Sequence, residues 1–171
     1  GEVQPALPLP VGQLAALLTL DASQLMDPSR IAGCIGLAGP YDFYPFTEDA
    51  HWELFGPEEA YPRSQPVNYV RAGAAPLYLL HGETDQRVHR GHSKSLMEKQ
   101  RAAGGAADRE VYPGMGHVEI IVEFTRPYRR RSAVVRDVGR FVGRIAEAMA
   151  EAPEGEPVAR MPWNTPTGSS V

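Results

Sequence analysis

The chain has 171 residues, 43% of them hydrophobic, with a net charge of −4 and a single cysteine, Cys34. That length fits one domain or the greater part of one, and no stretch approaches the roughly 18 consecutive apolar residues of a membrane span. The acidic balance gives no general attraction to nucleic acid or anionic lipid, a lone cysteine forms no internal disulfide, and without paired cysteines or an HExxH segment no zinc site is expected.

In chain order, Gly1–Pro10 holds three prolines and no basic cluster. It therefore reads as irregular rather than helical and not as a signal peptide, which leaves the compartment open with the cytoplasm as default. Residues 1–11 form this proline-rich segment, 12–152 the folded domain and 153–171 a Pro/Gly/Ser/Thr-rich tail expected to be disordered. Gly12–Leu20, rich in Ala and Leu, predicts a helix. Turn chemistry at Asp27–Arg30 leads into Ile31–Leu37, short and apolar enough for a strand covered on both faces. Tyr41–Arg63 is a long connection carrying Asp42, Trp52 and Phe55, read either as a lid or as a loop packed on its own aromatics. Leu77–Leu80 predicts a second strand, His92–Ala103 a helix stopped at Gly104-Gly105, and Arg109–Tyr112 a third strand. Over Ser132–Ala152, Val134, Val135, Val138, Phe141, Val142, Ile145 and Met149 recur at helical spacing and make one broad apolar stripe. Strands alternating with helices predict a parallel sheet flanked by helices.

Two strand ends carry the chemistry. Leu77–Leu80 runs out at His81-Gly82, with Asp85 just beyond, and Arg109–Tyr112 leads through Pro113–Gly116 to His117. In open parallel sheets, ligands and reacting groups gather beyond the carboxyl ends of the strands. An acid after one strand and a histidine after the next make half of a Ser-His-Asp relay, in which the acid fixes the imidazole tautomer and the imidazole takes a proton from a hydroxyl. The plainer readings are a solvated loop acid or helix-start charge for Asp85, with Glu83 as its nearest rival, and a surface histidine for His117. His81 fits the strand-end turn, and His89 and His92 are expected to be exposed. Gly91–Ser95, GHSKS, resembles a nucleophile elbow only superficially, since Ser93 follows no strand and the second glycine is missing; it reads as a helix cap. The basic run Arg126–Arg131 reads as a solvated face rather than a nucleic-acid site.

The segments Ile31–Phe46, Phe55–Val70, Pro76–Val88 and Glu110–Ile121, with their HGxxD and PGxGH pieces in this order, resemble the C-terminal portion of an α/β-hydrolase of the esterase/lipase type, similar to carboxylesterases and feruloyl esterases. The resemblance implies an incomplete α/β-hydrolase fold lacking its first strands, with Asp85 as the acid and His117 as the base. It also lays the family's Gly-x-Ser-x-Gly-Gly elbow on Leu7–Gly12, where Leu9 stands at the serine position.

The implied activity is hydrolysis of a small-molecule carboxylic ester through an acyl-enzyme, with no cofactor. The isolated chain is expected to be inactive for want of a nucleophile. The alternatives are an amide or formamide hydrolase, and a non-catalytic hydrolase remnant serving as an interaction module. Nothing in Ile31–Leu37 guards a strand edge, so edge-to-edge homodimerisation or aggregation is expected.

Overall fold

The computed structural model describes residues 11–21, 23, 30–44, 58–125 and 128–152. Three parallel strands, β1 (Cys34–Leu37), β2 (Leu77–Gly82) and β3 (Ala107–Tyr112), lie side by side in the order β1-β2-β3. Cys34 and Ala107 are both level with Leu77, and Gly82 is level with Tyr112, so β2 and β3 end together. All six residues of β2 are buried. A strand with a neighbour on each edge and helices on each face keeps both its odd and its even side chains from water, which is why this run is apolar without alternation.

Among the described residues, four α-helices cover the sheet: α1 (Val11–Leu20), α2 (Gly91–Ala102), α3 (His117–Val122) and α4 (Ala133–Glu151). Leu77 and Leu79 face one side, where they pack with Ala16 and Leu20 of α1 and Leu96 of α2. Tyr78 and Leu80 face the other, with Ile120 of α3 and Val134, Phe141 and Ile145 of α4. This two-residue alternation divides one strand between two cores. Phe141 stacks on Tyr78 with ring centroids 5.2 Å apart. The Ser132 hydroxyl accepts the Val135 N–H at 3.1 Å and caps α4, an arrangement typically worth about 1 kcal/mol.

Several boundaries differ from expectation. The strand predicted over Ile31–Leu37 starts only at Cys34, where the Cys34 N–H meets Pro76 O at 2.9 Å and pairing with β2 begins. β2 runs on through His81 and Gly82, and β3 begins at Ala107. The α4 stripe is narrower than predicted: Val142 and Met149 are exposed. Val142 is turned about 100° from Phe141, so both cannot face the sheet, and Phe141 holds the place against Tyr78.

The long connection after β1 is tied down at both described ends. Phe43 N–H donates to the buried Gln65 side chain at 2.7 Å, and Val67 N–H donates to Tyr41 O at 3.3 Å. The Asp42 carboxylate accepts from Ser95 and from Lys99 Nζ (3.1 Å), while Asp42 O lies 2.6 Å from His92 Nδ1. These contacts fasten the exit of β1 to α2. Trp52 and Phe55, the proline-rich start through Pro10, the Asp27–Ser29 turn and the tail from Pro153 lie outside the described residues. Among the described residues no helix is long and apolar enough to cross a membrane.

Candidate active site

Because β2 and β3 end level, their exit loops meet, and backbone hydrogen bonds join them. Glu83 N–H donates to Tyr112 O at 3.0 Å and Thr84 N–H to Met115 O at 2.9 Å. Glu83, the rival acid, is exposed, and its Oε2 accepts the Gly114 N–H at 3.1 Å. It braces the turn and does not bond to His117.

Two glycines permit this joint. A Cβ on Gly82 would stand 2.4 Å from Met115 O and 2.8 Å from Gly116 O, so only glycine lets the loops approach this closely. Gly114, after Pro113, has φ +70, the left-handed value that the third residue of a Pro-Gly turn adopts without a side-chain penalty. The turn delivers His117 as the first residue of α3, and Ile120, fully buried one turn later, anchors that helix.

The structure brings Asp85 and His117 together. Asp85 Oδ2 lies 2.8 Å from His117 Nδ1. Asp85 Oδ1 accepts the N–H groups of Arg87 and Val88, each at 2.9 Å. A carboxylate that accepts from both amides holds its own loop in shape and aims its second oxygen at the imidazole. Burial by itself raises the Asp85 carboxyl, but the Val88 amide, the His117 ring and the Arg87 amide outweigh it and hold the group below its ordinary value. An ionised Asp85 only accepts, so His117 carries its proton on Nδ1 and presents Nε2 as a base. Among the described residues no hydrogen bond occupies that Nε2.

The His117 ring, about a quarter exposed, lines a cavity of about 280 Å³ with Thr84, Arg87, Gly116, Val118 and Glu119. A second cavity, about 290 Å³, opens at Pro76, Gly105 and Ala106, beside the starts of β2 and β3. It lies at the far end of the strands from Asp85 and His117 and has no part in their chemistry.

Among the described residues no serine is hydrogen-bonded to His117. Ser23 donates to Asp21 (2.6 Å), Ser64 to Tyr61 O (2.8 Å) and Ser95 to Asp42, and Ser132 caps α4. Ser93 is fully buried, donates to Arg90 O at 3.0 Å and accepts from Arg109 Nε at 2.8 Å. It stands inside the first turn of α2 rather than at its cap, which Arg90 occupies. Leu9 lies outside the described residues.

One histidine differs from expectation. His89 is exposed, but His92 is half-buried against the exit of β1. Burial pulls its ring below the ordinary value, against the Asp42 carbonyl. His81 is fully buried near the end of β2, and its Nε2 lies 2.9 Å from Val88 O in the loop that follows, in keeping with a role in the strand-end turn. Arg129, Arg130 and Arg131 are exposed, in keeping with a solvated face.

The sequence model of the prolyl oligopeptidase family matches residues 18–147. Among solved structures, a truncated form of a carbohydrate esterase from gut microbiota is similar at 19% identity and TM-score 0.64, over 81% of this chain and 57% of that one. A propionate-bound thermophilic esterase of the planctomycete Thermogutta terrifontis is similar at 18% identity and TM-score 0.58, over 78% of this chain and 52% of its own. A bifunctional GH43-CE protein of Bacteroides eggerthii is similar at 19% identity and TM-score 0.61, over 80% of this chain and 21% of its own. At such identities the likeness is one of fold, and the chain spans about half the length of the first two of these structures. A comparison with curated proteins found no match.

Proposed function

The chain belongs to the prolyl oligopeptidase family and has an α/β-hydrolase-type sheet, and from that premise we propose that it carries the acid and base of a relay that hydrolyses carboxylic esters. The observation that supports this reading is the 2.8 Å contact between Asp85 Oδ2 and His117 Nδ1 at the joined ends of β2 and β3. In the relay, His117 Nε2 takes the proton of an attacking hydroxyl as the O–C bond to the acyl carbon forms. The imidazolium, held by Asp85, then passes that proton to the departing alkoxide as the ester C–O bond breaks. Water repeats the sequence on the acyl group and regenerates the hydroxyl. An ester rather than an amide is proposed because the similar structures named above include esterases.

The described residues supply the acid and base without a nucleophile, so the isolated chain is expected to show no serine-dependent turnover, since relay members act as a unit. Leu9→Ser is expected to leave this unchanged, because a hydroxyl alone restores neither a strand-to-helix elbow nor the oxyanion donors. The test is hydrolysis of an aryl acetate with titration by a serine-directed phosphonate. Stoichiometric labelling with turnover would overturn the inactive reading, and a mass-mapped adduct would name the serine.

A further inference from the structure

We propose that His81 is the positioning residue of the acid–base pair: its Nε2–H holds the Val88 carbonyl and thereby keeps the Asp85 loop in the shape that presents Oδ2 to His117. His81 is fully buried, and its Nε2 lies 2.9 Å from Val88 O. A carbonyl oxygen only accepts, so Nε2 carries a proton, and burial, which pulls the ring below its ordinary value, leaves Nδ1 unprotonated and the ring neutral. The same Nε2 lies 3.5 Å from Asp85 Oδ2, beneath the carboxylate that bonds His117.

The loop is thus gripped from two directions. Asp85 Oδ1 holds the N–H groups of Arg87 and Val88, and His81 holds the carbonyl of that same Val88. With the Val88 peptide groups fixed on both sides, the carboxylate cannot turn without breaking the ring of bonds. The placement also explains a cost. His81 Nδ1 is buried with no hydrogen-bond partner among the described residues, an arrangement ordinarily avoided. An aliphatic residue in line with Leu77 and Leu79 would avoid that orphan acceptor, and it would also release Val88.

The inference rests on the reading of Asp85 and His117 as acid and base, and imidazole NMR of the ¹⁵N-labelled chain separates the two. In the native chain at pH 7, His81 is expected as the Nε2–H tautomer, and His117 is expected to show a slowly exchanging Nδ1–H signal. A missing His117 signal would sink the pair itself. The Nδ1–H tautomer for His81 would overturn its positioning role while leaving the pair standing, and this measurement needs no variant to fold. His81→Gln, which offers an N–H near the place of Nε2, is expected to retain the His117 signal. His81→Leu is expected to lose it and to speed amide exchange of Val88 roughly five- to tenfold, the loss of about one hydrogen bond. A folded His81→Leu that keeps the His117 signal, or a folded His81→Gln that loses it, would overturn the proposal.

Discussion

β2 is paired with β3 over six residues, Leu77 to Gly82, and the pairing continues beyond the strands through Glu83, Thr84 and Met115. With β1 it is paired over four, Leu77 to Leu80, and one further bond, from Ala38 N–H to Leu80 O, ends the contact. In a parallel ladder, alternate residues address opposite neighbours. Cys34 and Ala38 turn to β2, so Ile35 and Leu37 direct their peptide groups away from it, and no further strand is paired there among the described residues. The two flanks therefore do different work. The β3 flank brings Asp85 and His117 together from within the described chain, whereas the β1 flank has no paired neighbour on its outer side among the described residues. The geometry of Asp85 and His117 depends on the first and not on the second.

The largest effect expected from this difference is on stability. Leu79, fully buried at the centre of β2, should cost about 2–5 kcal/mol when changed to Ala, the range for deleting a core leucine. Ile35→Ala, at a half-buried position on β1, should cost about 1 kcal/mol. Chemical denaturation measures both, and equal losses would show that the β1 flank is as firmly built as the rest.

A smaller effect comes from one histidine on each flank, buried on one and half-buried on the other. His81, below the Asp85 loop, and His92, at the exit of β1, are both held by burial below their ordinary value of 6.5. Between the native and unfolded values the unfolded chain is protonated and the native chain is not. Stability is therefore full above about pH 6.5 and falls as the solution is acidified, by about 1.4 kcal/mol per pH unit for each proton taken up. His92→Gln should remove the β1-side share of that slope and leave the His81 share. A stability that is flat from pH 7 to 5, or a slope unchanged in the variant, would contradict this division.

The smallest change in stability, and the sharpest test of the open edge, is Leu37→Pro. Proline removes an N–H that β2 does not use and is tolerated on edge strands. Light scattering on a sizing column should find the unsubstituted chain associating through β1 and the variant monomeric, with stability altered by about 1 kcal/mol or less. A parent chain that is monomeric at every concentration would show that the edge is closed.

Much of the site was legible because its signals are local. An apolar run ending in His-Gly with acids just beyond it, and a Pro-Gly turn ahead of a histidine, place Asp85 and His117 in loops after two strands, and the resemblance of the HGxxD and PGxGH pieces favours Asp85 over Glu83. The start of α3 at His117 was less legible, since six residues form too short a segment for periodicity to declare a helix. The burial of His92 and the engagement of Ser95 both depend on Asp42, 50 and 53 residues away in the chain, a separation no local pattern spans.

The sequence by itself determined the class of sheet, the central part of the face that α4 turns to it, and the residue types available for a relay, because hydrophobic period and turn chemistry act over a few residues. Only the tertiary structure decided which atoms meet. Level pairing of Gly82 with Tyr112 brought the loops into contact, and the approach of Met115 O made a side chain at position 82 impossible. Packing of β2 between two cores put His81 beneath the carboxylate it steadies. These outcomes follow from close packing and hydrogen-bond satisfaction among residues distant in the chain, which are settled only when the sheet assembles.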